Sequence, residues 1–134
     1  MHDVVLNKIA TIKRCIVRIN EEFSDEVAFK KNYTKQDSVV LNLQRACEAS
    51  IDIANYLIKQ KNLGIPQSAR DSFELISKAN IISIEVASKL KKMVGLRNIA
   101  VHDYQSLNID IIISVVNHHL SDFDCYCAQI IKFD

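Results

Sequence analysis

The sequence predicts an all-α protein on three observations. Among 134 residues there are two Gly, one Pro and no Trp, too few turn-formers for a β design that turns every ~8–12 residues. Apolar residues recur at alternating gaps of four and three, the spacing of one helix face. An apolar share of 49% with a formal net charge of +1 argues against a disordered chain, which needs low hydrophobicity and high net charge. The length suits one domain spanning residues 1–134.

About five helices are expected. The first, from about Asp3 to Lys31, carries Val5, Ile9, Ile12, Ile16, Ile19 and Phe23 as a seam, widened by Leu6, Ala10 and Val17. The second is capped by Asp37 or Ser38 and runs through Val39, Leu43, Ala46, Ser50, Ile53 and Leu57. Its apolar arc is broad, which predicts the central helix. Gly64 and Pro66 end it, the glycine as left-handed cap. A third helix is expected from Ser68 to about Ala79 and a fourth from about Ile81 to Leu96. The fifth, from about Asn108 to Ile131, has the longest seam, with Ile111, Ile112 and Val115 beside it. That extra apolar width predicts a second burial partner, most simply a copy of the chain in a symmetric homodimer; cover by the short third and fourth helices is the alternative.

Near-zero net charge speaks against a general nucleic-acid coat protein, though not against an enzyme that concentrates positive charge in one cleft. No signal segment and no apolar run near the ~18 residues of a membrane span is visible. Cys15, Cys47, Cys125 and Cys127 are scattered rather than clustered, so a cytoplasmic location with reduced thiols is expected.

The segment Arg97-Asn98-Ile99-Ala100-Val101-His102-Asp103-Tyr104 carries the chemistry, in the pattern R-x4-H-x-Y. RNA supplies its own nucleophile, the 2′-hydroxyl beside the scissile phosphate. Cleavage then needs a proton removed, the 5′-oxygen protonated and the charge on phosphorus stabilised. An imidazole such as that of His102 serves as base or acid near neutrality. The guanidinium of Arg97 matches two phosphate oxygens. Arg97 and His102 are five apart, about 140° around a helix axis. For both to reach one phosphate, the helix must break between them, near Gly95, or the site must be shared between chains. An AMP group on Tyr104 would set a negative phosphate against Arg97 and His102 and fill the cleft. The plainer reading is that all three residues are helix caps and packing polars.

Other candidates are weaker. Arg45, Glu48 and Asp52 line a polar stripe of the second helix; all three are candidates to hold the motif's arginine or histidine in place, but an intrahelical charge ladder is the simpler expectation. His118 and His119 diverge by about 100° on a helix, and His118 with Asp122 lacks the further ligands a metal needs. No carboxylate cluster suggests a two-metal nuclease and no glycine-rich loop a nucleotide hydrolase. No metal and no cofactor are therefore expected.

The motif resembles the R-x4-6-H signature of the HEPN superfamily, in the R-x4-H-x-Y form of the HepT toxins. The similarity extends through Arg45-Ala46-Cys47-Glu48-Ala49, Gly64-Ile65-Pro66, Ser72-Phe73 and Leu90 to Leu96, covering about residues 37–107. The resemblance implies a HEPN-type helical bundle and a homodimeric, metal-independent endoribonuclease with Arg97 and His102 of both chains in one cleft. It also implies a toxin–antitoxin pair in which a minimal nucleotidyltransferase (MNT) antitoxin, using ATP and Mg, transfers AMP to Tyr104. Asn98 and Asp103 would orient the ring or contact RNA, the substrate being transfer or messenger RNA. A different class of function is a non-catalytic helical module that scaffolds a nucleotidyltransferase or binds nucleotide.

Overall fold

A computed structural model of the chain describes residues 2–133. Among them there is no strand, and seven α-helices follow in order: α1 (Asp3–Phe23), α2 (Glu26–Lys30), α3 (Tyr33–Gln60), α4 (Ala69–Lys78), α5 (Ile84–His102), α6 (Ile109–His118) and α7 (Leu120–Phe133). A 3-10 turn, Tyr104–Ser106, joins α5 to α6. The helical class is as expected; the helix count is higher, because two expected helices are each divided.

The first expected helix stops at Phe23, not Lys31. The Asp25 carboxylate accepts from the Val27 amide at 3.2 Å and starts α2 as a separate turn. This bend lays Phe29, fully buried, against Phe23 with ring centroids 4.9 Å apart. The central helix starts at Tyr33 rather than near Asp37, because the Asn32 side chain accepts from the Lys35 amide at 3.0 Å. Its left-handed terminal residue is Asn62 (φ 53°), not Gly64, which lies two positions on at φ 119°. The Leu63 amide closes this cap on the Ile58 carbonyl at 3.0 Å.

The fourth expected helix is displaced at both ends. Ser83 caps α5 by accepting from the Val86 amide, leaving Ile81 and Ile82 as buried loop residues. The helix then passes Leu96 without a break and ends only at His102. Gly95 does not interrupt it: a Cβ there would lie 2.9 Å from Arg70 Nη2, so the glycine makes room for an arginine crossing from α4. The fifth expected helix divides at His119, where the Asp122 amide bonds back to the His119 carbonyl.

The core is built around α3. Helix α1 runs antiparallel along it, since Lys8 meets Asp52 while Arg14 and Arg18 lie beside Asn42 and Arg45. Helices α2, α4 and α5 also pack on α3. Ala46, Ala49, Ser50 and Ala54 are buried on it, and such small side chains permit close helix approach. Tyr126 of α7 is fully buried, donates to the Ser50 carbonyl at 2.8 Å and meets Phe73 of α4 edge-on. Of the three residues that widened the last seam, Ile112 and Val115 are buried within this chain and Ile111 alone is exposed. Most of that extra width is thus satisfied without a second chain. No helix among the described residues is long and apolar enough to cross a membrane.

The Tyr126 contacts give a stability test. Tyr126→Phe removes one net hydrogen bond and should cost about 1 kcal/mol. Tyr126→Ala, which also opens a cavity beside Phe73, should cost about 3–5 kcal/mol in urea unfolding. Equal losses would mean that the hydroxyl, not the ring, dominates this contact.

Candidate active site at the end of α5

The three motif side chains leave one helix end in different directions. Arg97 lies in the last turns of α5 and faces α3: its Nε is buried 3.3 Å from Glu48 Oε1, without the alignment of a hydrogen bond. It also lies over Cys47, whose thiol burial pushes up to about 12 while the Arg97 charge opposes that rise. His102, the last residue of the helix, is exposed. Five residues of unbroken helix separate the pair by about 140° and about 7.5 Å along the axis. Of the two ways they were expected to converge, a break near Gly95 is absent. The alternative, a site shared between chains, belongs to the proposed function.

Helix α5 stops at Asp103, whose backbone leaves helical geometry (φ −152°, ψ 59°). The Asp103 carboxylate accepts from Ser106 Oγ at 2.5 Å, and the Ser106 and Leu107 amides bond to the Asp103 and Tyr104 carbonyls. Asp103 therefore tightens the turn and makes no hydrogen bond to the His102 ring. The turn returns Tyr104 to α3, where its hydroxyl donates to the Asp37 carboxylate. Partial burial, then that carboxylate, push the Tyr104 phenol up to about 12, so it is protonated at neutral pH.

The supporting residues separate. Asn98 is half-buried and makes no side-chain hydrogen bond among the described residues. Arg45, Glu48 and Asp52 do not form a ladder along α3. Glu48 pairs with Arg97, Asp52 with Lys8 at 2.9 Å, and Arg45 lines a recess toward α1. Among the described residues neither Arg45 nor Asp52 forms a hydrogen bond or ion pair with the motif. His119 rather than His118 meets Asp122, at 3.4 Å, because the chain bends there. Among the described residues no three His, Cys, Asp or Glu side chains are grouped as metal ligands, and all four cysteines are free.

Of the three stripe residues offered to hold the motif, Glu48 does so, through Arg97. One contact at the site escapes the sequence. Asp37 read as a helix cap because the start of α3 was placed one turn too late; its Tyr104 contact spans 67 positions and leaves no local pattern.

Comparison with known proteins places the chain in a family. The model of the family described as ribonuclease HepT-like matches residues 10–130. The chain is 61% identical over 124 residues to the mRNA nuclease HepT of Shewanella oneidensis, covering 92% of this chain and 93% of that protein. It is 26% identical over 88 residues to the tRNA nuclease HepT of Aphanizomenon flos-aquae, covering 66% and 60%. The structure superposes with a TM-score of 0.95 on the tri-AMPylated Shewanella oneidensis HEPN toxin in complex with MNT antitoxin, at 58% identity over 98% of this chain and 99% of that one. With its family model spanning nearly the whole domain and the R-x4-H-x-Y residues at the end of α5, this chain belongs to the ribonuclease HepT-like family.

Proposed function

We propose that this chain is the toxin of a toxin–antitoxin pair: an endoribonuclease of the cytoplasm that needs no metal and is neutralised when an MNT nucleotidyltransferase adds AMP to Tyr104. The observation that carries the reading is the unbroken end of α5, with Arg97 seated on Glu48, His102 exposed and Tyr104 turned back beside them. The 61% identity to an mRNA nuclease and the AMP-modified toxin–antitoxin relative support it. Messenger RNA is the favoured substrate on that identity.

In this reading His102 exchanges the protons of 2′-hydroxyl attack and 5′-oxygen departure, and Arg97 stabilises the phosphorane charge. Glu48 positions Arg97. Asn98 stands close enough in sequence to contact RNA, and Asp103 sets the turn that separates His102 from Tyr104. Two chains of a homodimer supply two Arg97 and two His102 side chains to one cleft. Ile99, Val101 and Ile111 are exposed around the motif, and Ile99 and Ile111 line an apolar groove of about 210 Å³ that a second copy would cover.

The modification step balances on this chain's own groups. The Tyr104 oxygen bonds to the α-phosphorus of ATP, the bond to the β-phosphate bridge breaks, pyrophosphate leaves, and Asp37 is placed to take the phenolic proton. ATP and Mg belong to the nucleotidyltransferase. The new phosphodiester would carry negative charge toward the cleft and remove the hydrogen bond between Tyr104 and Asp37.

Unmodified protein in EDTA should cut RNA to fragments ending in 2′,3′-cyclic phosphate, and His102→Ala should slow this about 10²–10⁴-fold. Arg97→Ala should cost about 10²–10³-fold. Parental cutting by either variant would remove its assigned role; intact RNA from protein free of AMP would favour the binding-module function. Ile99→Lys with Ile111→Lys should give a folded monomer by light scattering that no longer cuts RNA, and an active monomer would refute the shared cleft. With the nucleotidyltransferase and ATP, intact mass should show AMP on the parent, none on Tyr104→Phe and slowed addition on Asp37→Asn. A parental rate in Asp37→Asn would remove its role as proton acceptor.

A further inference from the structure

The small net charge conceals an uneven allocation of cations. Lys8, Lys13, Lys30, Lys89 and Lys91 lie against Asp52, Asp124, Asp110, Glu85 and Glu74 respectively, and Arg97 against Glu48. Seven other lysines and Arg70 have no acid within 4.0 Å among the described residues, nor do Arg14 and Arg18 of α1 and Arg45 of α3, which are set apart by their shared position. All three line one recess of about 190 Å³ with Thr11, Cys15 and Asn42. Among the described residues none of the three has a carboxylate oxygen within 4.0 Å. Arg14 reaches only the Thr11 hydroxyl, at 3.3 Å. The three charges all act on the buried Cys15 thiol, opposing the upward push of its burial, so they converge on one volume.

Three guanidinium groups around one recess repel one another, and an anion relieves that repulsion. Their planar forks match phosphate oxygens two at a time. The recess is tied to the motif through α3. Arg45 stands three residues before Glu48 on α3, about 4.5 Å along the axis, and Glu48 carries Arg97. We infer that the groove between α1 and α3, lined by Arg14, Arg18 and Arg45, binds the phosphodiester backbone of the RNA substrate beyond the scissile position. This inference rests on the ribonuclease reading. It specifies an electrostatic track without base readout, since nothing aromatic lines the recess. An acidic protein surface is the other ligand with suitable charge, but continuity with the Glu48–Arg97 pair favours the nucleic acid that Arg97 serves.

The test uses a labelled single-stranded RNA oligonucleotide and His102→Ala protein, which holds RNA without cutting it. The triple variant Arg14→Gln, Arg18→Gln, Arg45→Gln should bind at least about tenfold more weakly at low salt. The slope of log affinity against log salt should flatten by about 2, since each single-strand phosphate contact contributes about 0.7. The matching triple Lys variant should keep the slope, which separates lost charge from lost folding. An unchanged slope in the Gln variant would overturn the inference. So would unchanged RNA binding together with loss of the nucleotidyltransferase complex, which would assign the groove to that partner. Failure of the ribonuclease reading is separate: it would appear as uncut RNA with the His102-intact protein, whatever the slopes.

Discussion

Burial of α3 on most of its circumference is the constraint on which the other elements depend. Its apolar residues from Val39 to Ile58 receive α1 along one side and α4 and α5 along others. Tyr126 reaches it from α7 through the Ser50 carbonyl. Alanine and serine at the contact positions let the helices come close enough to exclude water. Each neighbour can satisfy one narrow apolar stripe because α3 offers several. A polar residue on α3 must emerge between packed neighbours, and its position is therefore well defined.

That rigidity gives the candidate site its geometry. Asp37 and Glu48 leave the same helix three turns apart and take two different parts of the motif: the Tyr104 hydroxyl and the Arg97 guanidinium. Helix α5 separates those parts by continuing without a kink through Gly95, where an added Cβ would displace only the end of the Arg70 side chain. The result is a half-site, in which the cation is drawn inward and the imidazole is left on the surface. The 140° between them is a property of the α-helix itself, so the backbone of one chain points the two side chains apart. On the proposed ribonuclease reading, a second copy would supply the complementary group.

Charge follows the same economy. Five lysines lie against acids on the outside of the bundle, where such pairs contribute little to stability. Arg14, Arg18 and Arg45 instead line one recess between α1 and α3. A chain of net charge +1 thus carries a locally positive patch.

The sequence alone determined the helical class, the central position of the helix that became α3, and the identity of the motif residues. Those properties reside in local spacing: an apolar arc or an R-x4-H-x-Y string is read within one element. Boundaries were legible where a single side chain caps its own helix, as Ser68 does, and misplaced where competing caps stood close together, as with Asn32 before Asp37 or Ser83 after Ile81. Tertiary structure decided the rest. It covered Ile112 and Val115 within the chain, carried α5 through Gly95, and paired Glu48 with Arg97 and Asp37 with Tyr104. These outcomes depend on which surfaces meet across tens of residues, and the period of a single helix contains no information about what lies opposite it.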